Sequence, residues 1–122
     1  MRAALVGLRP DRRRKQPALA PAVLKAYADS VFGLKGRVDL RLVDGWAGEA
    51  PSALCRRILA GSPGLVSFSC YVWNIEAVRE LCGRIKRLRP DTLVVLGGPE
   101  ASARARELLE SVPADAVVRG EG

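Results

Sequence analysis

The apolar positions of this chain fall into short continuous runs separated by longer stretches of helical spacing. Residues 3–8 (Ala-Ala-Leu-Val-Gly-Leu) form an unbroken apolar run ended by Arg9-Pro10, which predicts a strand buried on both faces. Gly7 inside that run marks a place where something packs closely against the backbone. Ala20, Val23, Leu24, Tyr27, Ala28 and Val31 recur as one stripe of a crossover helix that stops near Gly33 or Gly36. Residues 38–43 alternate Val-Asp-Leu-Arg-Leu-Val, a strand nearer the sheet edge, with Asp44-Gly45 as its terminator. Pro51, Leu54, Cys55, Ile58 and Leu59 give a short amphipathic helix closed by Gly61-Ser62-Pro63-Gly64.

The second half repeats the alternation. Residues 65–69 are a third strand, followed by the loop Cys70-Tyr71-Val72-Trp73-Asn74. Ile75, Val78, Leu81, Cys82, Ile85 and Leu88 then face inward on a helix whose charged side is solvated, and Pro90-Asp91 breaks it. Residues 93–96 are a fourth strand running into Gly97-Gly98-Pro99. Ser102 is placed to cap a last helix through Leu109, Pro113 stops it, and residues 116–119 form a fifth strand.

Strands alternating with helices predict a doubly wound five-stranded parallel sheet with helices on both faces, an α/β fold of flavodoxin-like order 2-1-3-4-5. The chain order then switches direction between strands one and three. Ligands bind at the carboxyl ends of such strands, here the loops at Arg9-Pro10, Ser69-Cys70-Tyr71 and Gly97-Gly98-Pro99, with Gly120-Glu121 just beyond. A length of 122 residues suits one domain over 1–122.

Charge and composition narrow the chemistry. Twenty Lys and Arg against 13 Asp and Glu leave a net charge of +7, yet the charges are scattered. The one dense run, residues 9–15, reads as a solvated loop or as a phosphate- or partner-binding one, and it carries no aromatics to stack on bases. Nucleic acid is therefore not expected as a partner. The chain has no histidine, which excludes histidine metal ligands, histidine bases and Ser-His or Cys-His nucleophile pairs from these residues. Cys55, Cys70 and Cys82 are odd in number and widely spaced, so they spell neither a disulfide framework nor a metal ligand set and point to a reducing cytoplasm. The apolar run at the amino end is too short for a signal-peptide core or a membrane span, and no membrane partner is expected.

Familiar occupants of this architecture fit poorly. A dinucleotide would need Gly-x-Gly-x-x-Gly after the first strand, where Arg, Pro and Lys stand. A flavin phosphate loop would need Ser, Thr and Gly in that place, and a phosphoacceptor domain an aspartate ending the third strand, where Ser69 and Cys70 stand. What remains suggests binding rather than side-chain catalysis: Gly97 and Gly98 lack the Cβ that blocks close approach, and Ser69 offers a hydroxyl. Taken alone, the glycines fit an ordinary strand-to-helix turn equally well.

Three motifs together resolve that choice: Ser69-Cys70-Tyr71-Val72-Trp73-Asn74, Gly97-Gly98-Pro99-Glu100 and Val118-Arg119-Gly120-Glu121-Gly122. In order and spacing they resemble the N-terminal cobalamin-binding domain of cobalamin-dependent radical S-adenosylmethionine enzymes, over nearly the whole chain and most weakly over residues 9–16. The resemblance implies a Rossmann-like domain holding the corrin over the strand ends, with the dimethylbenzimidazole nucleotide tail in a groove beside the sheet. By that match Ser69 contacts the tail, Gly97 and Gly98 make room for it, and Tyr71, Val72 and Trp73 line the corrin edge or lower face. Gly120 and Glu121 reach the ribose or the corrin amides. Arg9, Pro10, Cys70 and Pro99 complete the candidate cofactor rim.

Two departures shape the expectation. Related domains of methionine synthase and the mutases carry Asp-x-His-x-x-Gly after the first strand, whose histidine binds cobalt; this chain has none. Base-off cobalamin without a protein ligand to cobalt is expected. The family's catalytic half, with its Cys-x-x-x-Cys-x-x-Cys cluster site, is expected after the Arg-Gly-Glu-Gly stretch and so outside this chain. S-adenosylmethionine and an iron-sulfur cluster are thus expected only in a catalytic domain supplied in cis or in trans, whether the chain is an excised domain or a short relative. That parent activity is expected to be a methyltransferase, with no catalytic residues in this chain. The rival reading is a non-catalytic α/β protein-interaction module with a degenerate ligand groove.

Overall fold

The computed structural model describes residues 1–13, 18–31, 33–34 and 36–120. Its elements follow in the order β1 (Arg2–Arg9), α1 (Leu19–Ser30), β2 (Asp39–Trp46), α2 (Pro51–Leu59), β3 (Leu65–Ser69), α3 (Ile75–Leu88), β4 (Leu93–Gly97), α4 (Pro99–Ala103), α5 (Ala105–Ser111) and β5 (Ala116–Val117). The strands pair in the order β2-β1-β3-β4-β5, all parallel, as the alternation of strand and helix patterns predicts. The continuous apolar runs of β1 and β4 lie in interior strands, while the third interior strand, β3, alternates Val66 and Phe68 with Ser67 and Ser69.

The register sorts the side chains onto two faces. Ala4, Val6 and Leu8 of β1, Val66, Phe68 and the following Cys70, and Val94 and Leu96 of β4 all point to one side. There they pack with Leu54, Cys55 and Ile58 of α2, Val78, Leu81, Cys82 and Ile85 of α3, and Ala101, Leu108 and Val112 from the α4–α5 segment. All are buried, and each large side chain removed from water contributes roughly 1.5–3 kcal/mol. The opposite face is met by α1, over β1 and β2. Its N-terminal end sits so close to β1 that a Cβ on Gly7 would lie 2.2 Å from the Ala18 Cβ. The close approach expected at Gly7 is the seat of this helix.

Four local expectations change. β2 does not stop at Asp44-Gly45 but continues to Trp46, because Asp44, Gly45 and Trp46 keep pairing with Gly7, Leu8 and Arg9 of β1. The Arg9 guanidinium reinforces this, donating to the Gly45 carbonyl at 3.3 Å and meeting the Asp44 carboxylate at 3.4 Å. The helix after β4 begins at Pro99 with Gly98 as its N-cap, so Ser102 lies inside α4 rather than capping it. It also breaks at Arg104 (φ −124°, ψ 30°), where the guanidinium pairs with Glu100 on one side and Glu107 on the other. β5 is shorter than expected, with one further ladder bond from the Val118 N–H to the Leu96 carbonyl.

The α1 stripe is the fourth change. Its periodicity is real, but the helix does not seal against the sheet: only Pro21 is buried, while Val23 and Tyr27 are 55% and 69% exposed.

Candidate functional site

On the α1 side the carboxyl ends of the three central strands carry almost no side-chain bulk. Gly7 of β1 pairs with Ser69 of β3, and Ser69 pairs with Gly97 of β4, so the top row across the sheet is Gly-Ser-Gly. One layer deeper the row is Leu5-Ser67-Val95. Over Gly7 the space is taken by the start of α1, while over Ser69 and Gly97 it stays open.

The result is a cavity of about 880 Å³, bounded below by Ser67, Ser69, Val95 and Gly97 and along one side by Leu19, Ala20, Val23 and Leu24 of α1. Gly98, Pro99, Ser102, Val118 and Gly120 close the other side, and Tyr71 stands at the rim. A Cβ built on Gly97 would meet nothing within 4 Å, so this glycine faces the opening. Gly98 plays a different part. Its φ of +94° suits glycine, and a Cβ there would lie 2.7 Å from the Cys70 carbonyl oxygen. The strand ends are clasped at that point: the Cys70 N–H donates to the Gly97 carbonyl at 2.7 Å, and the Glu100 N–H donates to the Cys70 carbonyl at 3.1 Å. Gly98 therefore lets β3 and β4 close on each other, while Gly97 leaves the space.

Above this row the loop after β3 is rigidly built. Asn74, buried at 1% exposure, donates to the carbonyls of Leu8 and Ser69 and accepts from the Tyr71 N–H at 2.8 Å. One amide thus ties the ends of β1 and β3 to the loop between them. The Trp73 indole N–H donates to the same Leu8 carbonyl at 3.2 Å. Tyr71 and Trp73 stack with ring centroids 4.4 Å apart and planes 6° off parallel, and Val72 beside them is exposed. The rim therefore presents an apolar platform on fixed supports. At its far end the Gly120 N–H donates to the Ser102 hydroxyl at 2.9 Å, which holds the segment after β5 over α4.

Of the residues the sequence singles out, Ser69, Tyr71, Gly97, Gly98, Pro99 and Gly120 come together around the cavity. Val72 and Trp73 stand on the rim next to Tyr71. Arg9 and Pro10 lie at the end of β1, outside the cavity lining, with the Arg9 side chain drawn back toward β2. The Cys70 thiol points into the core on the other face, and burial, outweighing the Gly97 backbone bond, pushes its pKa up to about 12. Only its backbone belongs to the rim. Glu121 and the end of the basic run, Arg14 and Lys15, lie outside the described residues. Four groups went unread in the sequence: Ser67, Val95, Asn74 and the inner face of α1. Ser67 shares the parity of Ser69 on a period-two strand, and that alone places it on the same face.

An open groove at the carboxyl ends of a parallel α/β sheet, walled by apolar groups and set with hydroxyls, defines a small-molecule-binding domain. The family model described as the B12 binding domain matches residues 21–122, and this chain belongs to that family. It is 30% identical over 110 residues to the 2-(S-pantetheinyl)-carbapenam-3-carboxylate methyltransferase of Streptantibioticus cattleyicolor, an alignment covering 85% of this chain and 15% of that protein. It is 36% identical over 61 residues to the cobalamin-dependent radical SAM methyltransferase TokK of Streptomyces tokunonensis, covering 49% of this chain and 9% of that enzyme. The chain thus spans a small fraction of the length of these curated relatives. A crystal structure of a cobalamin-binding protein from Desulfitobacterium hafniense DCB-2 superposes with a TM-score of 0.68 over 96% of this chain and 52% of that one, at 16% identity, which shows the shared fold.

The residues present fit such a cofactor. The cavity lies in the upper part of the range of about 300–1,000 Å³ typical of small-molecule sites. The opening at Gly97 is a cradle that any side chain would fill.

Proposed function

We propose that this protein holds cobalamin at the carboxyl rim of its sheet, with the nucleotide tail in the groove beneath α1. The observation that carries this reading is the Ser69-Gly97 pair, which leaves the cavity open where β3 and β4 end. Ser69 and Gly97 receive the tail, and Gly98 and Pro99 shape the turn beside it. The Tyr71-Trp73 platform, with Val72, supports the corrin, while Gly120 faces its polar periphery. Arg9, Pro10 and the Cys70 backbone frame the rim behind them. With no histidine in the chain, cobalamin is held base-off without a protein imidazole on cobalt.

Bound cobalamin supplies methyl-group transfer chemistry, and this chain binds and orients it. The two curated relatives support a methyltransferase as the working partner. We assign S-adenosylmethionine and the iron-sulfur cluster to a radical S-adenosylmethionine catalytic domain, in cis or in trans, in the cytoplasm; residues 1–122 act as one binding domain beside it. Among the described residues no helix is long and apolar enough to cross a membrane.

The test is to mix the purified protein with hydroxocobalamin, reduce, desalt and record the visible spectrum. The expected result is retained colour, with a cobalt(II) paramagnetic resonance spectrum free of axial nitrogen splitting. A colourless protein overturns the reading in favour of an interaction module with a degenerate groove. Retained colour with nitrogen splitting overturns the unligated geometry alone.

A further inference from the structure

β1 and β3 run side by side only as far as the Gly7-Ser69 pair. Beyond it the chain leaves β1 toward α1 and β3 toward α3, and this is the switch point where doubly wound sheets usually seat a ligand. Here protein groups take the crevice. The Leu8 carbonyl accepts from the Asn74 amide and from the Trp73 indole N–H, each at 3.2 Å, and the Ser69 carbonyl accepts from the same amide at 2.9 Å. Asn74 also holds both backbone groups of Tyr71: its side-chain oxygen accepts from the Tyr71 N–H, and its own N–H donates to the Tyr71 carbonyl at 3.1 Å. Among the described residues Asn74 is the one polar residue of the largest fully buried side chains. Burying an amide costs free energy that its hydrogen bonds do little more than recover, so stability alone is a weak reason for it.

Resting on the cobalamin reading above, we infer that Asn74 is a positioning residue for the bound cofactor. It is 1% exposed and absent from the cavity lining, so it touches no occupant. It acts through Tyr71, which does line the cavity and stacks on Trp73. With the crevice between β1 and β3 filled, the cofactor is confined to the aromatic platform and to the opening over β3 and β4. The Asn74 amide fixes how that platform stands relative to the opening. Thr92 supplies the contrast. It is likewise buried and polar, and its hydroxyl donates to the Pro63 carbonyl at 3.2 Å, at the end of the sheet where β3 and β4 begin. It holds the fold and touches nothing at the rim.

The experiment compares wild type, Asn74→Asp, Asn74→Ser and Thr92→Val. Three quantities are read: the urea midpoint, the dissociation constant for reduced cobalamin per folded molecule, and the near-ultraviolet circular dichroism of the stacked rings without cobalamin. Asn74→Asp keeps the acceptor for Tyr71 and loses both donors. Asn74→Ser removes the amide without placing a charge in the core, and it carries the test if Asn74→Asp does not fold. Both Asn74 variants are expected to bind cobalamin at least about tenfold more weakly per folded molecule, the scale of one lost buried hydrogen bond, and to lose part of the near-ultraviolet signal. Thr92→Val is expected to lower the urea midpoint with affinity and signal unchanged. Unchanged affinity in a folded Asn74 variant, or an equal loss in Thr92→Val, overturns the positioning role and leaves the cobalamin reading standing. Failure of the wild type to retain cobalamin overturns both.

Discussion

The two faces of the sheet are built from the same strands and come out as opposites. On one face the alternate residues are Ala4, Val6, Leu8, Val66, Phe68, Val94 and Leu96, none more than 3% exposed, beneath α2, α3 and the α4–α5 segment. On the other they are Leu5, Gly7, Ser67, Ser69, Val95 and Gly97, with α1 above them and a cavity between. Period two assigns adjacent residues to different faces. A strand such as Leu-Val-Ser-Phe-Ser therefore carries stability on its even positions and a binding surface on its odd ones. The difference teaches that the fold and the groove are separable properties of one segment, and substitution can address each alone.

The largest effect belongs to the packed face. Phe68 is the bulkiest of the fully buried side chains, and its truncation leaves a void that the surrounding elements cannot fill. Phe68→Ala is expected to cost about 3–5 kcal/mol, read as a lowered midpoint of urea unfolding. A loss under about 1 kcal/mol would mean that the core tolerates collapse there and that the two faces are less distinct than their packing implies.

A smaller and different effect belongs to the groove. Gly97→Leu places a side chain where nothing lies within 4 Å, so the fold is expected to survive with its urea midpoint nearly unchanged. Cobalamin uptake is expected to fall by at least about tenfold, or about 1.4 kcal/mol. The neighbouring Gly98→Leu should behave like a packed-face variant instead. Its side chain would meet the Cys70 backbone in a left-handed conformation, so stability should fall before binding can be measured. Normal uptake by folded Gly97→Leu would show that the tail takes another route.

What the sequence made legible follows from which interactions are local. The central strands declared themselves through short, largely apolar runs, and the order 2-1-3-4-5 followed from alternation and the handedness of crossovers. Ser69, Gly97 and Tyr71 were legible by position at the strand ends. Ser67 was present in the same alternation but did not stand out until α1 was seen to leave the face open. The stripe of α1 told that the helix is one-sided, not that its apolar side looks onto a cavity. The separate duties of Gly97 and Gly98 rest on the distance to Cys70, more than 25 residues earlier, which no local pattern encodes. The role of Asn74 likewise depends on the Leu8 carbonyl, 66 residues away.

The smallest prediction separates the faces by pH. The Asp115 carboxylate meets Lys86 of α3 at 2.6 Å and accepts from the Val94 N–H at 2.7 Å, joining α3 to the β4–β5 edge. Those contacts, the Lys86 bond first, hold its pKa below the usual carboxylate range. A depressed carboxylate contributes stability that is present above its unfolded value, near 4, and is lost as the pH falls through its folded value. The site is 37% exposed, so water screens the pair and its contribution is under about 1 kcal/mol. Asp115→Asn is expected to lower the urea midpoint slightly at pH 7, and the gap to wild type should begin to narrow below about pH 4 and close as the pH falls through the depressed folded value. The described groove lining contains no Asp, Glu, Lys or Arg, so cobalamin uptake at pH 7 should be the same in both proteins. A gap that persists unchanged at pH 3 would assign the Asp115 effect to shape rather than charge. Impaired uptake would show that the β4–β5 edge couples the packed face to the groove.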